Sequence, residues 1–320
     1  MQPSSRTLRH VAFSALIGML FYGLFVLIAN RAEIETAVTQ LNISIWSVIL
    51  GLSLANYALR FARWHGFLRS LGYRIPLALD CTHYFAGFAF TVTPGKAGEA
   101  VRSIYLEKQG VRYRDSLAVF VTERVLDLLV ITALSALVAV QFVDGRWLIA
   151  AGISATLVLL VIIRTARSGN HISRISISAG PTWIAEAFQR FSGILRSSSQ
   201  LLRSRSVYGG LALGCMAWVL EGMAVYLIAA ELGVEISLTA AVGIYAASVL
   251  AGAFSMIPGG IGSTEAAMAL LLTMFGADLS TAVAVAIVCR IATLWFAVAI
   301  GGMAVCALQL DSSPVAGQAN

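Results

Sequence analysis

Charge is scarce in this chain. Of its 320 residues only 12% are Asp, Glu, Lys or Arg, against 58% hydrophobic, and its mean hydropathy is strongly positive. One soluble core cannot hide that much apolar surface, so the composition excludes a soluble domain and defines an all-α, polytopic membrane protein. Cysteine is equally sparse. Cys81, Cys215, Cys289 and Cys306 lie in apolar surroundings without C-x-x-C spacing, which favours buried small hydrophobes over disulfides or metal ligands. The glycine-rich stretch GGIGSTE lacks a Gly-Lys-Ser/Thr ending and has no strand before it, which excludes a nucleotide loop. His83 has no partner spacing for a metal and reads as a hydrogen-bonded structural residue. No cofactor and no metal are expected. A net charge of +6 raises nucleic acid as a partner, but the inside-positive bias of membrane proteins accounts for it and nucleic acid is set aside.

What the chain has in abundance is apolar runs of spanning length: residues 11–29, 43–61, 116–143, 147–163, 207–230 and 279–308. Each is long enough for roughly 30 Å of hydrocarbon. The first follows Arg6 and Arg9 but is too long for a signal peptide's apolar region and has no convincing cleavage site after it, so it reads as an uncleaved helix. Two further apolar stretches, 77–106 and 238–275, are interrupted by Pro and Gly. Placing the amino terminus in the cytoplasm leaves 18 of the 22 Lys and Arg on the inner side, two outside (Arg31, Arg146) and two within spans (Arg124, Arg290). The expected architecture is therefore six full spans plus two re-entrant helical hairpins, with both termini inside. Residues 1–146 and 147–320 each read span, span, hairpin, span. One hairpin enters from each side, giving an inverted-topology repeat of the kind found in secondary transporters. Within the basic segment 164–206, residues 182–202 alternate with helical period, as an interfacial amphipathic helix would.

The two interruptions match. TPGKAGEAVR (93–102) and IPGGIGSTEAA (257–267) share Pro-Gly-x-x-Gly and supply Glu99 and Glu265; 25 residues beyond each glutamate stands an arginine, Arg124 or Arg290. Pro94 and Pro258 suit the first turn of a new helix, where no N–H is needed, and Gly95, Gly98, Gly259, Gly260 and Gly262 permit tight turns. A chain broken within the membrane exposes backbone N–H groups and a positive dipole end, suited to an anionic headgroup. The bland alternative is a glycine-rich kink or helix crossing.

Glu123, Arg124, Asp127, Glu221 and Arg290 fall inside expected spans, where each unpaired charge costs roughly 2.5–3.5 kcal/mol on insertion scales. Glu123 and Asp127, four apart, share a helix face. They are either packing ion pairs or cavity groups, whereas the equivalently placed Arg124 and Arg290 are expected to bind substrate or gate it, since arginine's fork suits phosphate. Asp80, His83, Tyr84, Gly87 and Thr91 form a polar stripe on the first hairpin that would line such a cavity. Asn56, Arg60 and Arg63, with Trp64, end a span and are expected to snorkel to the headgroups.

The stretch TPGKAGE-x-x-R with the later ER-x-x-D (Glu123, Arg124, Asp127), and PGGIGSTE with the later Arg290, resemble the flippase-like membrane domain of lysylphosphatidylglycerol synthases. That domain also occurs as a stand-alone protein. The resemblance spans nearly the whole chain and implies movement of aminoacylated phospholipid between leaflets, with a separate soluble domain attaching the amino acid. No such domain follows the last apolar run, so a stand-alone translocase is expected rather than a synthase. Its substrate-contacting or gating set would be Pro94, Gly95, Lys96, Gly98, Glu99, Arg102, Glu123, Arg124, Asp127, Glu221, Pro258, Gly259, Gly260, Gly262, Ser263, Glu265 and Arg290. Expected partners are membrane lipids of the bacterial or archaeal cytoplasmic membrane. An aminoacylated phospholipid, a polyprenyl-phosphate sugar and a hopanoid-type lipid remain open. Other readings are a non-transporting partner of a lipid-modifying enzyme or glycosyltransferase, and an intramembrane enzyme using Glu123, Asp127 or His83 as general base.

Overall fold

The computed structural model describes residues 41–139 and 205–311, with Thr39 and scattered positions between 150 and 202. The expected spans 11–29 and 147–163 lie outside the described residues, apart from isolated positions of the second, as does most of the amphipathic segment. The described residues are helical, without strands. In chain order they form α1 (Ile43–Ser70), α2 (Leu77–Ala86), α3 (Arg102–Glu107), α4 (Tyr113–Ala139), α5 (Ser206–Glu231), α6 (Leu238–Phe254), α7 (Ser263–Met274), α8 (Leu279–Arg290) and α9 (Phe296–Asp311). Among the described residues three helices, Ile43–Ser70, Ser206–Glu231 and Leu279–Leu310, are long and apolar enough to cross a membrane.

Local sequence sets these limits. The side chain of Asn42 caps α1 by accepting from the Ile45 N–H, and those of Ser237 and Asp278 cap α6 and α8 in the same way. At the other end of α1, Gly72 takes φ 91°, letting the Tyr73 N–H close on Leu68 O at 3.1 Å. α1 runs through Arg60 and Arg63 to Ser70 because Phe61, Trp64, Phe67 and Leu68 continue its apolar face. The run 279–308 is one continuous helical rod, but between α8 and α9 it carries a π-turn, Ile291–Trp295, directly after Arg290. Tyr57 Oη donates to Thr293 O inside that turn.

The two interrupted stretches are helical hairpins. In the first, α2 passes into 3-10 helices Gly87–Phe90 and Pro94–Val101 before α3; in the second, α6 and α7 flank the short 3-10 turn Pro258–Gly260. Each proline opens a new helical turn, of 3-10 rather than α type. Tip N–H groups that were expected to be free are taken up by turn carbonyls and by side chains: Lys96 N donates to Thr93 O and Gly260 N to Ile257 O, while Gly98 N donates to Thr93 Oγ1 and Gly262 N to the Glu265 carboxylate.

Packing is crossed between the halves. The first hairpin lies against α9, and α6 of the second lies against α4. Both contacts rely on glycine: a Cβ on Gly301 would fall 2.1 Å from Ala89 N, and one on Gly243 would fall 2.8 Å from Val138 N. α1 packs on α5, where Gly210 and Gly214, one small-xxx-small step apart, admit Phe67 and Arg63. The surface is apolar, with Leu54, Met216, Leu270 and Met303 pointing outward, while charge is buried: Arg60, Arg63, Arg102, Glu123, Asp127 and Glu265 are nearly inaccessible. That inversion is the signature of a lipid-facing exterior.

Candidate functional site

A cavity of about 320 Å³ lies between the hairpins, walled by α1, α4, α5, α6, the π-turn and both tips. The tips touch beside it: a Cβ on Gly259 would be 3.4 Å from Val92 Cα. Val92, Ile261 and Leu294 form a small apolar cluster there, with Trp295 and Val298 packed against it.

The matched glutamates and arginines meet. Arg290 Nε donates to Glu265 at 2.8 Å and its Nη2 to Gly259 O at 2.5 Å, tying α8 to α7 and the second tip. Glu265 is held further by the Gly262 N–H at 2.8 Å. The counterpart is looser: Arg124 reaches Glu99 at 3.7 Å and Asp127 at 3.2 Å, while Glu99 accepts a short hydrogen bond from Thr91. Arg124's side chain is 24% exposed against 7% for Arg290, and its buried Nε has no hydrogen-bond partner.

Behind this face runs a chain of buried ion pairs. Arg102 donates to Glu123 at 2.6 Å and stacks on Trp64 and Tyr84. Glu123 also meets Arg63 at 3.4 Å; Arg63 reaches Asp127 at 2.8 Å, and Arg60 reaches Asp127 at 3.3 Å and Glu221 at 3.9 Å. Trp218 Nε1 and Tyr245 Oη donate to Asp127 and Glu221. Such a network is tolerable inside a membrane protein because opposite charges replace the lost water.

Lys96, Glu99, Arg124, Asp127, Glu221, Gly259, Gly260 and Arg290 line the cavity. Arg102, Glu123 and Glu265 sit behind it in ion pairs. Pro94 and Gly95 open the first tip's 3-10 helix, and among the described residues Gly98, Pro258, Gly262 and Ser263 shape the tips without lining the cavity; the Ser263 hydroxyl bonds Ser255 and Gly260 O. The polar stripe divides: Tyr84 and Thr91 reach the cavity, whereas Asp80 holds Trp64 and His65, and His83 stacks on Tyr105. Arg60 and Arg63 do not snorkel, because helix α1 continues past them and turns both inward among carboxylates. The interrupted stripe Asn56-Arg60-Arg63 inside a continuing apolar face was the signal for this. Trp218 and Tyr245 carried none. Cys289 is buried, but Cys215 and Cys306 lie on the apolar exterior.

Fold and cavity together define a multi-pass membrane protein whose broken helices enclose a charged chamber. Residues 11–301 match the family described as lysylphosphatidylglycerol synthase TM region, and the chain belongs to that family. It is similar to a UPF0104 membrane protein of Methanothermobacter thermautotrophicus, 26% identical with 93% of each chain covered, and to another of Pyrococcus horikoshii, 24% identical over 76% of this chain and 81% of that one. It is also 24% identical to the glycosyltransferase AglD of Haloferax volcanii, over 80% of this chain and 47% of that protein.

Proposed function

We propose that this protein is a lipid translocase of the cytoplasmic membrane, moving a lipid with a polar headgroup between leaflets. What supports the reading is the cavity itself: a chamber lined by ionised side chains, bounded by two helix breaks, in a molecule whose outer surface is apolar. A headgroup entering it exchanges water for fixed charges and hydroxyls while the acyl chains stay in lipid. In this reading the halves 1–146 and 147–320 are inverted repeats, the hairpins are re-entrant from opposite sides, and the repeats exchange access to the cavity. The protein performs no bond chemistry.

Arg124 and Arg290 then have different tasks. Arg124, partly exposed to the cavity, meets the headgroup, whereas Arg290 fastens the second hairpin. In liposomes, Arg124→Leu is expected to abolish scrambling of a fluorescent phospholipid while the purified variant melts within a few degrees of wild type. Arg290→Leu strands the buried Glu265 and is expected to cost about 3–5 kcal/mol of stability, read as a large fall in Tm. Unimpaired scrambling by Arg124→Leu would sink the translocase site.

A second reading is favoured by the glycosyltransferase name of the Haloferax relative: a membrane partner that docks a lipid-modifying enzyme or glycosyltransferase. Deleting residues 182–193, which spares Ser197, Ser198 and the buried Leu201, separates the two, since a docking protein loses its enzyme and a translocase keeps its transport.

A further inference from the structure

The buried ion network does not balance. Its cations are Arg60, Arg63, Lys96, Arg102, Arg124 and Arg290; its anions are Glu99, Glu123, Asp127, Glu221 and Glu265. That is six against five. Every carboxylate accepts at least one hydrogen bond, and every arginine lies within an ion-pair distance of a carboxylate. Lys96 is the one left over. Among the described residues its side chain has neither a hydrogen bond nor an ion pair, although it borders the cavity. Lys96 lines the cavity together with Glu99 and the loosely held Arg124.

The backbone bears on this residue too. Lys96 takes φ 56°, and the matching position of the second tip, Gly260, takes φ 63°. Glycine adopts that left-handed conformation freely, while a lysine there is strained. The chain has only two lysines, at 96 and 108, among its 22 basic residues. A strained, half-buried cation that makes no ion pair among the described residues, in a cavity it shares with a guanidinium whose Nε has no acceptor, leaves the six cations one negative charge short.

We infer that the Lys96 face of the cavity binds one oxyanion carrying a single negative charge, of the phosphodiester type, with Lys96 as a point charge and Arg124 as the forked donor. This rests on the translocase reading for its source, the phosphodiester of a lipid headgroup, while inorganic phosphate shares the chemistry. It makes the headgroup anionic where it meets the protein, so a cationic or sugar portion must lie elsewhere in the chamber.

The test uses the full chain in detergent, with fluorescent-tailed phosphatidylglycerol and a fluorescent-tailed glucosyl diacylglycerol that has no phosphate. Lys96→Gly restores the residue type of the second tip and relieves strain, so its Tm should equal or exceed the wild-type value. It should weaken phosphatidylglycerol binding about tenfold or more, the loss expected for one charge-assisted contact. Lys96→Arg should keep most of the affinity, and the glucosyl lipid should bind less tightly and be indifferent to either substitution. Lys96-dependent displacement of the probe by millimolar inorganic phosphate would assign the site to the free ion, and failure to displace it would assign the lipid phosphodiester. Equal phosphatidylglycerol affinity in wild type and Lys96→Gly, or a wild-type preference for the glucosyl lipid, would overturn the inference. Lys96-dependent binding without scrambling in liposomes would remove the translocase reading and leave the anion site. Scrambling with affinity independent of Lys96 would do the reverse.

Discussion

Arg102 lies over the rings of Trp64 and Tyr84 and donates to Glu123, so its charge meets one carboxylate and two aromatic faces while its Nε and Nη1 find no acceptor. Its position in the sequence, just after the first hairpin's glycines, suggested a cavity residue. The pairing that withdraws it comes from α4 and could not be read locally. Outside the spans, Asp115 shows the same logic at the start of α4. Burial pushes its carboxyl up, but hydrogen bonds from Tyr73 and Ser197 and the neighbouring Arg112 outweigh this and hold it below the ordinary carboxylate range. A depressed folded pKa stabilises the protein fully above the unfolded value near ~4, and that contribution is lost as pH falls below it and through the folded pKa. Arg112 is well exposed and adds little. Asp115→Asn is therefore expected to lower stability by about 1 kcal/mol at pH 7 and to shrink the drop in Tm between pH 7 and about pH 2. An unchanged drop would show that Asp115 is not the responsible group.

At the scale of elements, the hairpin breaks were legible because Pro-Gly-x-x-Gly interrupts apolar runs by backbone chemistry alone. Their 3-10 character was not, since it depends on which N–H groups find carbonyls three residues back. The π-turn after Arg290 was equally silent: nothing in IATLW distinguishes it from ordinary helix, and Tyr57 bonds it from α1, more than 200 residues away. Glycines 301 and 302 make the element argument testable. A side chain at Gly301 meets the Ala89 backbone, whereas Gly302 faces open space. Gly301→Leu is expected to destabilise by about 1–3 kcal/mol through overpacking against the first hairpin, with Gly302→Leu near wild type in the same thermal melt. Equal effects would mean that α9 does not hold the hairpin as described.

Across the whole molecule, each hairpin packs on the long helix of the other half, and the tips meet at Val92, Ile261 and Leu294. If the repeats exchange access to the cavity, that apolar contact must open in each cycle. Val92→Cys with Ile261→Cys, in a background with Cys215 and Cys306 changed to Ser, is expected to stop scrambling when oxidised and to recover on reduction. Full transport by the verified disulfide would exclude movement between the tips.

Sequence alone determined the all-helical membrane class, the family, and the two places where apolar runs break. The class and the breaks follow from composition and local backbone chemistry, which neighbouring residues carry in full, and the family follows from the resemblance of its motifs. The tertiary structure decided which charges are spent and which remain. Arg63 and Asp127 are 64 positions apart and Arg60 and Glu221 are 161 apart, so no local pattern announces their pairing. Along the chain Lys96, Arg102, Arg124 and Arg290 stand against Glu99, Glu123, Asp127, Glu221 and Glu265, four cations and five anions, which left the headgroup's charge open. Only folding α1 inward added Arg60 and Arg63 and left Lys96 without an ion pair among the described residues, because the balance of a buried network belongs to the packed whole.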